Sequence, residues 1–142
     1  MKPEDYIIKQ LKEQFIEFEL VQTGYNPSEQ SAVSICVKKW TEKFIGNPTA
    51  PYLESYLWHV FGNNVTFYLE GNQATEELMK QYPSEVFLFN EPQQYLIRCW
   101  GKVPLIEMED FFDDVYVCHH NMNWTYVIPH ESNIGPFFST GK

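Results

Sequence analysis

Apolar residues recur at intervals of three and four over residues 4–18, which is the period of one helix face. Glu4 and Asp5 stand at the start of this segment, where the helix dipole favours negative charge. The pattern therefore predicts an amphipathic helix whose buried stripe is Ile7, Ile8, Leu11, Phe15 and Phe18.

A second helix is predicted from about Pro27 to Phe44. Asn26 suits the cap, Pro27 the first helical position and Glu29 the third, so that both reciprocal capping bonds are available. We expect this helix to pack on a sheet through a stripe made of Val33, Cys36 or Val37, Trp40 and Phe44.

Aromatic and β-branched residues are concentrated at 56–61 and 65–70, on either side of Gly62-Asn63-Asn64. Because such a short loop accommodates positive φ, the two segments predict a hairpin. A helical turn is predicted just before it, over residues 52–56.

The middle of the chain alternates between helical and extended patterns. The next predicted helix begins at Asn72 as its cap and carries a face of Ala74, Leu78 and Tyr82. The apolar run 86–89 follows it, and this order of elements favours one right-handed β-α-β crossover. Residues 95–100 are predicted as a strand and residues 104–112 as a short helix.

Residues 113–131 alternate on either side of a loop at 121–124 and predict a final hairpin. The predicted register pairs His120 with Thr125, Cys118 with Val127, Tyr116 with Pro129 and Asp114 with Glu131. One face then holds Val115, Val117, His119, Tyr126, Ile128 and His130. Like charges directly opposite each other destabilise a sheet, so Asp114 facing Glu131 indicates either a shifted register or a need for a cation or a basic partner.

Together these elements predict an α+β fold in which two N-terminal helices and one crossover helix pack on a mixed five- or six-stranded β-sheet. The length of 142 residues matches one domain, and the pattern contains neither an internal repeat nor a linker. We therefore expect residues 1–142 to form a single globular domain.

The charge balance excludes some partners. The chain has 19 acidic and 10 basic residues, and its one arginine is Arg98, which argues against binding to nucleic-acid phosphates. The N-terminus lacks an apolar signal segment, and no run approaches the ~18 apolar residues of a membrane span, so neither nucleic acid nor membrane is an expected partner and a cytoplasmic location is predicted. The three cysteines are too scattered for a disulfide framework and are expected to be buried thiols.

The densest charge in the chain is the acidic run between residues 107 and 114. Such a run is usually a solvated face, but interleaved aromatic residues make it suitable for covering a basic surface on another protein. Our predicted partner-binding set is Glu107, Glu109, Asp110, Phe112, Asp113, Asp114 and Tyr116.

The histidines of the last hairpin suggest an alternative site made of His119, His120, His130 and Glu131. Neighbouring strand residues face opposite sides, and His119 and His130 are separated by about 13 Å at ~3.3 Å per residue. A metal site needs ligands near ~2 Å, so we predict no metal, no catalytic residue and no cofactor. The competing interpretation of His130 is a half-buried imidazole that holds a backbone carbonyl or Glu131 in place.

Three C-terminal segments carry a likeness to known sequences: Trp124-Thr125-Tyr126-Val127, His130-Glu131 and Gly135-Pro136-Phe137-Phe138. Residues 56–61 and 69–71 extend this likeness, so that it covers about residues 50–138. In these segments the chain resembles a family of small uncharacterised proteins of Gram-positive bacteria, a domain of unknown function. The resemblance implies an origin and brings no activity or catalytic residue.

The expected function is therefore that of an acidic, non-enzymatic interaction protein, immunity-like or regulatory, with a basic protein as its partner. The alternative is a small hydrolase or metal-dependent enzyme built on the C-terminal histidines and acids. A third hypothesis is an apolar-ligand binder that uses the aromatic residues around Trp58, Phe87 and Trp100. The sequence does not decide the oligomeric state.

Overall fold

A seven-stranded sheet forms the centre of the protein, seen in a computed structural model that describes residues 2–46, 56–62, 66–107, 113–131 and 133–141. The strands follow one another across the sheet in the order β1-β4-β3-β5-β6-β7-β2, and every neighbouring pair is antiparallel. Their bounds are β1 (Glu17–Thr23), β2 (Leu69–Glu70), β3 (Val86–Asn90), β4 (Tyr95–Trp100), β5 (Val115–His119), β6 (Thr125–Ile128) and β7 (Phe137–Ser139).

Helices cover both faces of this sheet. They are α1 (Pro3–Glu13), α2 (Ala32–Phe44), the single turn α3 (His59–Gly62) and α4 (Asn72–Met79). Buried residues of α1 and α4 join one apolar cluster, and those of α2 and α3 join the other. In the described part of the chain, none of the helices has both the length and the apolar character needed to cross a membrane.

The central strands contribute to both clusters because side chains alternate along a strand. In β5, Val115 and Val117 face the α1 and α4 side, whereas Tyr116 and Cys118 face the α2 side. Trp40 of α2 is fully buried against the second face and donates its Nε1–H to Thr125 Oγ1 at 2.8 Å. The sheet is therefore the middle layer of three, and the α+β class is confirmed.

The predictions of a mixed sheet and of a β-α-β crossover are wrong. All neighbouring pairs are antiparallel, and three strands separate β2 from β3. The predicted hairpin over residues 56–70 is also wrong, because 59–62 form a helical turn and β2 pairs instead with β7. Close packing of Val60 and Phe61 into the second apolar cluster explains why this aromatic segment is helical.

The first helix was predicted too long. It ends at Glu13, and Phe15 follows in the left-handed region at φ 58° with 94% of its surface exposed. The backbone N–H of Ile16 caps the helix by donating to the carbonyl of Leu11. Phe18 consequently lies in β1. This strand was not predicted, because the spacing of Phe15 and Phe18 matched that of a helix.

The second helix begins later than predicted. Ser31 caps it by accepting a hydrogen bond from the Ser34 N–H at 3.3 Å. The Asn26 side chain instead accepts from the Ser28 N–H at 3.0 Å and closes a local turn, the usual competing role of asparagine. The buried residues of α2 are those of the predicted stripe, with both Cys36 and Val37 buried.

Two predicted segments are matched in part. In α4, Ala74 and Leu78 are buried as expected, whereas Tyr82 lies beyond the helix and is 88% exposed. Residues 104–107 of the predicted short helix are not helical, and its remainder lies outside the described residues. The predicted turn at 52–55 also lies outside them, as does loop 63–65.

The last hairpin has the predicted faces with a different register. Cys118 pairs with Thr125, two residues away from the predicted Val127. The connection closes through a tight turn in which the Met122 N–H donates to the His119 carbonyl at 2.8 Å. Because a shift of two residues preserves the alternation, the residues on each face are still those predicted.

Among the described glycines, Gly135 is the one at which an added side chain would make the shortest contact. Its φ is +79°, and a Cβ placed on it would lie 2.7 Å from Cδ of Pro129. We expect Gly135→Ala to lower the free energy of unfolding by at least about 2 kcal/mol, measured by urea denaturation. Gly24→Ala is the matched control, because Gly24 has φ +85° but open space around it. Equal losses in the two variants would show that the contact with Pro129 contributes nothing.

Candidate functional site

A buried carboxylate lies where the end of the last hairpin meets α3. Asp114 immediately precedes β5 and is 4% exposed. Its Oδ1 accepts hydrogen bonds from the Trp58 indole N–H at 3.0 Å, the His130 backbone N–H at 2.6 Å and His130 Nδ1 at 2.9 Å. A carboxylate oxygen at Nδ1 holds the proton there, so the neutral ring presents Nε2 as an acceptor.

A second carboxyl supports the same segment from β3. Glu91 follows directly after β3, and its carboxyl accepts a hydrogen bond from the Tyr116 hydroxyl and another, at 3.2 Å, from the Leu57 backbone N–H. The Tyr116 oxygen in turn accepts the Trp58 backbone N–H at 3.1 Å. Residues 57 and 58 are therefore held to the sheet through both main chain and side chain.

A third carboxylate is tied to the turn between β3 and β4. The amide Nδ2 of the fully buried Asn90 donates to Asp113 Oδ2 and to Gln94 Oε1, each at 3.0 Å. Asp113 Oδ1 accepts the Asp114 backbone N–H at 2.9 Å. This bond fixes the direction in which the chain enters β5.

Burial dominates the electrostatics of these carboxyls. It raises the pKa of Glu91 to about 7 and that of Asp113 to about 6, and the negative charge of Asp114 acts in the same direction on both. Burial also raises the pKa of the Tyr116 hydroxyl well above its usual range, with neighbouring Glu91 adding to the effect. Tyr116 is therefore a hydrogen-bond donor at neutral pH.

Positive charge is scarce around this carboxylate cluster, which we define as Glu91, Asp113, Asp114 and Glu131. Within the described residues, the basic side chain in contact with it is His130, whose Nδ1 bonds to Asp114 and whose Nε2 lies 3.8 Å from Glu131 Oε1. The described salt bridges of Lys80 and Arg98 are made with other acids, Glu77, Glu19 and Glu85.

Aromatic rings form one wall beside the cluster. Tyr56 stacks on Trp58 with ring centroids 5.7 Å apart and lies 4.9 Å from the His130 ring. His59 meets the Trp58 ring edge-on at 4.4 Å. The side chain of His130 remains 29% exposed, so this imidazole can be reached from outside the protein.

The predicted partner-binding set divides into an exposed part and a buried part. Glu107 is exposed, and its backbone is paired with the Gln10 side chain. Asp113 is half-buried, whereas Asp114 and Tyr116 point into the protein and are not available at the surface. Glu109, Asp110 and Phe112 lie outside the described residues.

The alternative site does not form one cluster. His119 and His120 lie together at the loop end of the hairpin, with ring centroids 4.3 Å apart, whereas His130 and Glu131 lie at the opposite end. Burial, and secondarily the nearby His120, lower the pKa of His119. Across the described residues, no group of three or more His, Cys, Asp or Glu side chains is placed to hold a metal ion.

Cys118 is buried and donates to the Phe87 carbonyl, with an S–O distance of 3.6 Å. A hydrogen bond with Cys36, together with burial, raises the pKa of its thiol well above the usual range. His120 Nδ1 is bonded to the Glu85 carbonyl at 3.1 Å. Cys118 and His120 are thus each bonded to a backbone carbonyl of β3 or the residue before it, and not to each other.

Sequence reasoning missed Glu91, Asn90 and Trp58 as members of the site. The segment Asn90-Glu91-Pro92 has the composition of a turn, and it forms one, but its side chains also bond inward. The available signal was the position of two polar residues directly after an apolar strand. Trp58 offered no such signal, because its neighbours are apolar and its hydrogen-bond partner Asp114 is 56 residues away in the chain.

A model of the family described as Domain of unknown function (DUF4275) matches residues 26–138. No curated protein and no solved structure matches the chain. The matched region includes α2 to α4, β2 to β6, the first two residues of β7 and every residue of the carboxylate cluster. The origin in Gram-positive bacteria and the status of the C-terminal segments as the family's signature stay predictions.

The raised pKa of Glu91 gives a pH-dependent stability with a defined sign. The folded state binds this proton more tightly than the unfolded state, so the resulting stabilisation is complete below about pH 4.5 and is lost as the pH rises through about 7. When the pH rises from about 5.5 to about 8, the free energy of unfolding should decrease in the wild-type protein by about 2 kcal/mol more than it does in the Glu91→Gln variant.

Urea denaturation at the two pH values measures this difference. Glutamine keeps an oxygen for Tyr116 and Leu57 and cannot titrate, whereas Glu76→Gln changes the same charge at an exposed position of α4. Glu76→Gln should follow the wild-type pH dependence. Parallel curves for wild type and Glu91→Gln would disprove the assigned pKa.

Proposed function

Because the chain belongs to the family described as Domain of unknown function (DUF4275), we propose a function from its own residues: it is a non-enzymatic interaction protein, immunity-like or regulatory, that binds a basic partner protein in the cytoplasm. Glu91, Asp113 and Glu131, the members of the cluster that reach the surface, receive a lysine or arginine side chain of that partner, together with the aromatic wall beside them. The observation that carries the proposal is a group of carboxyls whose charge is not balanced by lysine or arginine within the described residues.

The physical basis is the unfavourable state of the cluster in the free protein. Burial of Glu91 and Asp113 without a cation raises their pKa values, so each carboxyl would be stabilised in its charged form by a positive group nearby. A partner cation supplies that charge, and the wall formed by Tyr56 offers an aromatic face for the same cation.

The acidic run supports the same assignment at longer range. Its exposed member Glu107 and the net charge of −9 favour the approach of a basic protein and oppose that of an acidic one. The buried pair Asp114 and Tyr116 fixes the cluster from beneath. The partner's basic group is therefore received by a preformed site, which limits the ordering cost of binding.

An oligolysine peptide tests this proposal by isothermal titration calorimetry. We expect binding that weakens as salt rises from about 50 mM to about 200 mM, and that strengthens between about pH 5.5 and pH 8 as Glu91 and Asp113 lose their protons. The double variant Glu91→Gln with Asp113→Asn should bind the peptide about tenfold more weakly than the wild type, and its affinity should lose most of the pH dependence.

The matched control removes two negative charges elsewhere. Glu42→Gln with Glu76→Gln alters exposed positions on α2 and α4, and it should retain the pH dependence of the wild type. If both double variants weaken the peptide equally, attraction by net charge alone accounts for the binding and the site assignment fails. An oligoglutamate peptide should not bind.

A second candidate function, hydrolysis, is favoured by one observation. The 2.9 Å contact between Asp114 and His130 Nδ1 is the arrangement that orients an imidazole as a general base. Within the described residues no hydroxyl or thiol is bonded to His130, so water would be the nucleophile.

His130→Gln separates this candidate from the binding function. If the protein is a hydrolase, its turnover of a chromogenic ester should fall by at least about 100-fold in this variant, while the affinity for oligolysine changes little. Equal ester turnover by wild type and variant excludes His130 as a catalytic base. Thermal unfolding of both proteins controls for loss of the Asp114 contact.

A further inference from the structure

An apolar cavity of about 250 Å³ lies between α2 and the sheet, near the loop end of the last hairpin. Its floor is formed by Phe87 of β3 and Leu96 of β4, and Val21 of β1 and Met122 of the hairpin loop close its sides. His120 lines the same cavity, whereas His130 and the carboxylate cluster lie at the other end of β5. The cavity is thus separate from the proposed partner site.

One stripe of α2 faces this cavity and shares Cys36 with the stripe that packs into the core. Its members Ala32, Ile35, Cys36 and Lys39 are spaced by three and four residues and therefore share a helix face. The core stripe, which includes Val33, Trp40 and Phe44, lies beside it.

Exposed apolar surface surrounds the opening. Ile35 is 45% exposed and Val21 is 39% exposed, and both line the cavity together with the buried Cys36 and Leu96. Folding leaves this apolar surface in contact with water, and a ligand with an apolar body would cover it.

The polar groups at the cavity select the charge of such a ligand. Lys39 lines the cavity and, within the described residues, takes part in no ion pair. His120 donates from Nδ1 to the Glu85 carbonyl, because a carbonyl oxygen only accepts. In a chain with a net charge of −9, this cavity has a cation at its edge, and none of the described residues that line it is acidic.

We propose that this cavity binds a small amphiphilic carboxylate, with its apolar chain between α2 and the sheet and its carboxylate at Lys39. The volume exceeds the ~150 Å³ that accommodates benzene and is below the ~300 Å³ at which sites for drug-sized ligands begin. A short fatty acid or an aromatic carboxylate therefore fits the size, and the charge of Lys39 favours an anion over a neutral or cationic relative.

Octanoate, octanol and octylamine test the proposal, because they share a chain and differ in charge. Calorimetry on the full chain should give the order octanoate, then octanol, then octylamine in decreasing affinity. Lys39→Glu should lower the affinity for octanoate by about tenfold and raise the affinity for octylamine. Lys38→Glu makes the same charge change on the adjacent exposed position of α2 outside the lining and should preserve the wild-type order.

A second measurement locates the ligand. Cys36 lines the cavity, so bound octanoate should slow its reaction with a thiol reagent, and Ala32→Phe should fill the cavity and remove both protection and binding. Thermal unfolding verifies that each variant is folded. Equal affinities for octanoate and octanol, equal effects of Lys38→Glu and Lys39→Glu, or no binding of any of the three compounds would each overturn the proposal.

Discussion

The orientation of α3 on the sheet depends on the buried carboxylate of Asp114. One oxygen of this residue joins the indole of Trp58 to the main chain and ring of His130, and thereby connects the segment before α3 to the hairpin formed by β5 and β6. A buried carboxylate is unfavourable unless hydrogen bonds replace its water, and here three donors meet one oxygen. Glu91 and Tyr116, which are bonded to each other, make a second connection by accepting the backbone N–H groups of residues 57 and 58.

This use of polar groups explains how far sequence reasoning could go. The faces of the last hairpin, the strands β3 and β4 and the buried stripe of α2 were predictable, because local periodicity decides which side of an element is apolar. The register of the hairpin was not, since it depends on a turn centred on Met122 at φ 58° that the residue types do not specify. Helical spacing through Phe15 and Phe18 likewise concealed a chain reversal.

The candidate site was predictable only in part, for a different physical reason. Asp113, Asp114, His130 and Glu131 are close in the hairpin and were recognised from local sequence, but Trp58 and Glu91 reach them through long-range contacts. The sequence also could not show that Asp114 points inward whereas Glu107 is exposed, although both belong to one acidic run. Two ends of the same hairpin thus have different chemistry: carboxyls at one end, and an apolar cavity with Lys39 at the other.

The strand order has a consequence for how the chain reaches this structure. Five strands drawn from residues 86–139 occupy adjacent places in the sheet, so most of its pairings join segments close in sequence. Short loops close at low entropic cost, which favours early formation of this C-terminal group of five strands. β1 and β2 come from the N-terminal half and add to its two edges, so their pairing must await the five strands that provide those edges. During synthesis, the N-terminal half therefore emerges before the sheet on which it will dock.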